Sequence, residues 1–214
     1  MAKDFYSIAA PTVAEIQEKK SLFIAYATPV ASEEEAQNFI TDIKKQHPDA
    51  RHHVYAYQIG AGRQIKRFTD DKEPAGTAGK PVLEAIDKSG LTNTVIVVVR
   101  YFGGILLGSG GLTRAYSKAA VLSLAKAQIV KKIPAQKYQI TFDYNFSGKV
   151  ETWLEKSAYP IERRLFEQII SFTILVPQHK VRQMHKDLAE ITLGTGSALC
   201  LGEEGYIDAV QEKE

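Results

Sequence analysis

Between Val95 and Ala120 the chain reads VIVVVRYFGGILLGSGGLTRAYSKAA, where an apolar run meets a cluster of glycines and then a basic helical pattern. A buried strand ending at Arg100 and Tyr101, a loop holding Gly103, Gly104, Gly108, Gly110 and Gly111, and a helix opening near Ser109 and Thr113 can turn bare backbone amides toward an anion. The positive end of the helix dipole would favour the charge. Arg114 and Lys118, four residues apart, add side-chain charge on one helix face. The familiar phosphate loops do not fit. Gly103 and Gly108 have the Walker A gap, but Ser109 and Gly110 stand where Lys and Ser or Thr are required. Gly108 and Gly110 are followed by Thr113 where a dinucleotide fingerprint has its third glycine. Two readings therefore stay open: an anion site, or glycines that only permit positive φ and close packing.

A second glycine-containing turn, EPAGTAGKP, leads into a helix with Thr77 and Lys80 as candidate donors. Asp70, Asp71 and Glu73 precede it; three carboxylates in four residues could hold magnesium, but a solvated acidic turn is the preferred reading. His52 and His53 are neighbours in a strand pattern, so their rings point to opposite faces and only one can reach a given site. His179 and His185 are six apart and fall on different sides of a helix. There is no HExxH, and Leu107 stands where a nucleophile elbow at Ser109 would need glycine. No catalytic residue, metal or cofactor is expected. Cys200 is the only cysteine, which excludes an internal disulfide and a cysteine-rich zinc site; it reads as a small buried strand residue.

Residues 1–134 hold 18 Lys and Arg against 13 Asp and Glu, whereas residues 135–214 hold 9 against 12, so an anionic partner belongs to the first part. Tyr55, Tyr57, Tyr101 and Phe102 stand among Arg51, Arg63, Lys66, Arg67, Arg100 and Arg114, the mixture that single-stranded RNA binders use for stacking and backbone contact. The competing reading of the strand aromatics is core. No apolar stretch is long enough for a membrane span, and acidic residues occupy the place of a signal peptide's apolar core; the expectation is a cytoplasmic protein that does not enter membranes.

The elements that must position these residues follow from periodicity. TVAEIQEKKSLFIAYATPV reads as a hairpin turning at Lys19 and Lys20. Ser32 and Glu35 form a capping box for a helix with Ala36, Phe39, Ile40 and Ile43 on one stripe, the carboxylate reaching back to the Ser32 amide. HHVYAYQIG and RQIKRFT make a second hairpin across GAG, a short helix runs from Pro81 toward Gly90, and NTVIVVV is a central strand. Leu112, Ala115, Ala119 and Leu122, with Tyr116, Ala120, Leu124 and Ala127, give the next helix two apolar rows. VKKIPAQK reads as a linker. After it Tyr138, Ile140, Phe142 and Tyr144 share one face of a strand, and the order βαββαβ predicts a ferredoxin-like second domain. The fold class is α+β, with domains at residues 1–134 and 135–214.

The stretches VVVRYFGGILLG at Val97–Gly108, EPAGTAGKPVL, ARHHVYAY and KKSLFIA together resemble the YigZ/IMPACT family. Lys72 stands where members commonly have glycine, and His53 where asparagine is common. The resemblance implies a first domain with the βαβ fold of elongation factor G domain IV and a small-subunit ribosomal protein, and a second domain similar to domain V of that factor. It also implies a translation-linked role, since eukaryotic relatives regulate initiation under nutrient stress, and hence contact with RNA or the translation machinery. Small-molecule kinases of the same superfamily hold ATP phosphates on a loop that LLGSGGLTRA resembles, without its second serine. The alternative is therefore an enzyme that recognises a phosphorylated substrate or nucleotide through Gly103–Arg114.

Overall fold

The computed structural model describes residues 3–210. The chain divides into two compact units, built mainly of Phe5–Lys131 and Lys132–Ala209.

In the first unit, β1 (Phe5–Ile8) is followed by β2 (Thr12–Glu18), β3 (Ser21–Pro29), α1 (Glu33–Gln46), β4 (His52–Ile59), β5 (Ile65–Thr69), α2 (Gly79–Lys88), β6 (Thr94–Tyr101) and α3 (Gly108–Ala125). The sheet order is β2-β3-β6-β4-β5, with every neighbouring pair antiparallel. The most apolar strand, β6, takes the centre, where both of its faces are covered. Val95, Val97 and Val99 pack with Ala36, Ile40 and Ile43 of α1. Ile96 and Val98 pack on the opposite face with Val82 and Ile86 of α2 and Leu112, Ala119 and Ala120 of α3.

Local chemistry explains the connections. The β2–β3 turn falls at Lys19 and Lys20, both with positive φ (43° and 65°), the backbone a tight hairpin requires. Ser32 caps α1 by accepting from the Glu35 amide at 3.2 Å. The Glu35 carboxylate reaches back to accept from the Ala31 amide at 2.7 Å, one residue beyond the Ser32 amide expected for a capping box. Along α3 the predicted rows are buried except at Leu122, which is exposed while its neighbours Ser123 and Leu124 are buried.

Of the second unit, β7 (Ile129–Phe142) begins in the first and is followed by α4 (Ser147–Ser157), β8 (Ile161–Phe166), β9 (Ile170–Pro177), α5 (Val181–Ile191) and β10 (Ser197–Val210). Its sheet runs β7-β9-β8 with β10 also paired to β7, whose length lets β1 pair with it as well, and the succession βαββαβ is that of the ferredoxin-like motif. Its core joins Tyr138, Ile140, Phe142, Phe172 and Ile174 of the sheet to Val150, Leu154, Met184 and Leu188 of the helices.

Three expectations are corrected. VKKIPAQK is not a linker: it runs inside the continuous strand β7, where Pro134 and its charged neighbours are tolerated. Tyr144 follows the end of β7 in a single 3₁₀ turn and is exposed, so only three of the four alternating aromatic and aliphatic residues share the buried face. Cys200 lies on β10 with its side chain exposed. The described residues thus form a mixed α+β protein with two antiparallel sheets and five α-helices. None of these helices is long and apolar enough to cross a membrane.

Candidate functional site

The site grows from one register position in the central strand. Arg100 pairs with Phe23 of β3 on one side and with His52 of β4 on the other. Alternation places Arg100 and His52 on the face covered by α2 and α3, and sends Tyr101 and His53 to the α1 face. Arg100 is 5% exposed, and a buried guanidinium must find a counter-charge. It finds Glu73, from the loop before α2, at 2.5 Å. The same Glu73 oxygen accepts from the Tyr116 hydroxyl of α3 at 2.8 Å, and His52 Nε2 lies 3.8 Å away. Burial, first, and then the Glu73 charge hold the Tyr116 phenol far above its ordinary pKa, so it remains a donor. Arg100 also reaches Ser21 Oγ at 3.5 Å and lies over the rings of Phe23 and Phe102, at 5.4 and 5.5 Å from guanidinium carbon to ring centroid. Its Nε is buried without a hydrogen-bond partner among the described residues.

Above this cluster opens a cleft of about 700 Å³. Arg100, Glu73 and His52 line it together with Arg51, Lys72, Phe102 and the α3 start at Gly108 and Ser109. Arg51 and Lys72 are exposed, and Arg51 lies 5.9 Å over the Phe102 ring. Among the described residues no side chain caps α3: Leu107 holds the N-cap place, so the first amides of this 18-residue helix are left without a capping carboxylate or hydroxyl. The arrangement can bind an anion at its rim and a flat ring against Phe102.

The predicted site residues separate into distinct places. Arg100, His52, Gly108 and Ser109 line this cleft. Gly103 is structural: a side chain there would begin 2.0 Å from the Lys20 backbone, and its amide donates to Ser21 Oγ at 3.2 Å. Gly104, Gly110 and Thr113 are exposed beside the loop and the first turn. Gly111, Arg114 and Lys118 line a separate recess of about 230 Å³ with Lys19 and Glu18. Arg114 and Lys118 thus do share a face, away from Arg100. Tyr101 instead bonds through its hydroxyl to His47 Nδ1 at 2.8 Å, while Tyr26 holds His47 Nε2 at 2.7 Å. Burial, with a smaller contribution from His53, lowers the His47 pKa. His53 is anchored by Nε2 to the His47 carbonyl at 3.0 Å.

The second turn is not open to a ligand. Asp70 accepts from the amides of Gly76, Ala78 and Gly79 at 2.8, 3.0 and 2.8 Å, and so fills the start of α2 from within the chain. Thr77 donates to the Pro74 carbonyl at 2.7 Å, and Lys80 is exposed. No group of three or more potential metal ligands is assembled among the described residues. Of the four aromatics read as stacking surfaces, Tyr57 is buried and bonded to Glu33 at 2.6 Å, and only Phe102 reaches the cleft.

Sequence reasoning missed Glu73 as the partner of Arg100, Tyr116 as the donor that shares the Glu73 carboxylate, and Lys72 as a cation of the cleft rim. A buried arginine in a central strand demands a carboxylate, and that demand is the signal that could have found Glu73.

Fold and cleft define the class: a two-unit α+β protein whose first unit carries a cationic cleft beneath an uncapped helix. The model of the Impact N-terminal domain matches residues 19–124, and that of a domain of unknown function (DUF1949) matches residues 140–195. The chain is 36% identical to IMPACT family member YvyE of Bacillus subtilis over 208 residues, 97% of this chain and 95% of that protein. It is 34% identical to IMPACT family member YigZ of Escherichia coli, over 91% of this chain and 97% of the relative. A crystal structure of a hypothetical protein, 34% identical, superposes with a TM-score of 0.66 over 95% of this chain and all of that one. The chain belongs to the IMPACT family.

Proposed function

We propose that the protein acts in connection with translation by binding single-stranded RNA in the cleft of its first unit. The observation that carries this reading is the junction of an uncapped helix start with Arg51, Lys72 and buried Arg100, beside an exposed phenylalanine ring. Phosphate oxygens suit the amides and the two rim cations, and a base suits the Phe102 face. Support also comes from the stretches through which the chain resembles its family. ARHHVYAY contributes Arg51 and His52, EPAGTAGKPVL contributes Glu73, and VVVRYFGGILLG contributes Arg100, Phe102 and Gly108. The likeness to elongation factor G domains IV and V, and a cytoplasmic location, belong to the same proposal.

The test is fluorescence anisotropy with a labelled single-stranded RNA across a salt series. Affinity should fall steeply with salt, by a log–log slope of about 0.7 for each phosphate neutralised. Absence of salt-sensitive binding to RNA or to ribosomes ends this reading.

One observation favours an enzyme instead: His52 presents Nε2 to the cleft, where it could take a proton from a phosphorylated substrate. Thermal-shift screening with nucleotides and phosphorylated metabolites, with and without magnesium, separates the two readings. A compound that raises Tm strongly and is turned over would favour the enzyme.

A further inference from the structure

The cleft has a rim and a floor of opposite chemistry. Its rim offers cations and amides, which suit phosphate. Its floor offers acceptors, which phosphate cannot use. Glu73 Oε1 is engaged by Arg100 and Tyr116, but Oε2 has no hydrogen-bond partner among the described residues. His52 is held by Nδ1, 2.8 Å from the Asp71 carbonyl oxygen. A carbonyl only accepts, so Nδ1 carries the hydrogen and the neutral ring keeps its lone pair on Nε2. The 3.8 Å from Nε2 to Glu73 Oε1 is too long for a hydrogen bond. Both side chains line the cleft, 12% and 4% exposed respectively.

Two acceptors with no donor, in a mostly enclosed place, make a site for a hydroxyl or amine hydrogen. A nucleic acid strand whose phosphate lies at the rim and whose base lies on Phe102 leaves the sugar as the part between them. In RNA that sugar carries a 2′-hydroxyl, which can donate; in DNA the position holds only C–H. We infer that Glu73 and His52 share the single hydrogen of a ribose 2′-hydroxyl in a three-centre hydrogen bond and make the cleft selective for RNA over DNA. This rests on the RNA-binding function proposed above.

The experiment compares three labelled strands of one sequence with the intact protein at one salt concentration. One is RNA, one is the deoxyribose strand, and one is the 2′-fluoro strand, which removes the donor while keeping an RNA-like sugar pucker. RNA should bind about tenfold more tightly than either, the worth of one hydrogen bond to a charged acceptor. His52→Phe, which keeps a ring and removes Nε2, should bring RNA affinity down toward that of the DNA. Equal binding of all three strands by the unaltered protein, within about twofold, overturns this inference and leaves the proposed function standing. Binding of none overturns both.

Discussion

Helices α2 and α3 both follow glycine-containing turns, both lie on the same face of the central sheet, and both open without a Ser, Thr, Asp or Asn at the N-cap. Their starts are nevertheless in different states. At α2 the carboxylate of Asp70 accepts from three amides, so the helix carries its own anion. At α3 no side chain caps, and the cleft with Arg51, Lys72 and Arg100 lies beside the first turn. The helix dipole favours negative charge at both starts; at α2 the chain supplies it, and at α3 the proposed function assigns it to the ligand. Whether that charge is internal or borrowed depends on a carboxylate eight or nine residues upstream, which no loop pattern records.

The largest effect should come from breaking the bridge between the two helix starts. Glu73→Leu removes the counter-charge of Arg100 and the acceptor of Tyr116, and a single partner lost from a buried pair destabilises by about 3–5 kcal/mol. Urea unfolding measures it as a drop in midpoint. Next, Asp70→Ala should cost about 2 kcal/mol, the upper end of a lost cap because three amides lose their acceptor together. RNA affinity of the folded Asp70→Ala protein should stay unchanged, since Asp70 serves α2 alone. If affinity falls as much as stability, the two helix starts are not independent.

Arg51→Ala combined with Lys72→Ala should weaken RNA binding about tenfold and lower the salt slope by about 1.4, with unfolding free energy within about 0.5 kcal/mol of the parent. The smallest effect should come from Ser109→Asp, which places a carboxylate in the first turn of α3. It should stabilise the helix by about 0.5 kcal/mol and weaken RNA binding, making α3 resemble α2. A variant that binds RNA more tightly would show that the α3 amides do not receive phosphate.

Wherever a rule is local, the sequence carries the fold well. The hairpin at Lys19 and Lys20, the Ser32 cap and the centrality of Thr94–Arg100 each follow from two to eight adjacent residues. VKKIPAQK misleads for a related reason: a proline among charges looks like loop, yet Pro134 and Ala135 are buried inside the continuous strand β7. The split between His52 and His53 follows from strand alternation, and that between Arg100 and Tyr101 follows from the same rule. The Glu73–Tyr116 contact spans 43 residues and depends on how α3 lies over the loop before α2, so no spacing rule reaches it. Arg114 and Lys118 show the converse. Their i, i+4 relation is visible in the sequence, but the direction in which that face points is decided by packing.

Tyr116 also bears on the thermodynamics of binding. Its ring is fully buried, set edge-on against Phe23 at 5.1 Å, and its hydroxyl fixes the Glu73 carboxylate against Arg100. Because the phenol stays protonated throughout the physiological pH range, this contact does not loosen as a titrating one would. The Glu73–Arg100 floor of the cleft is therefore fixed before any ligand arrives, and the conformational entropy left to lose on binding is that of the exposed rim side chains Arg51 and Lys72. Association should be governed by encounter and ion release, with a heat capacity change no larger than the apolar area of one stacked ring accounts for.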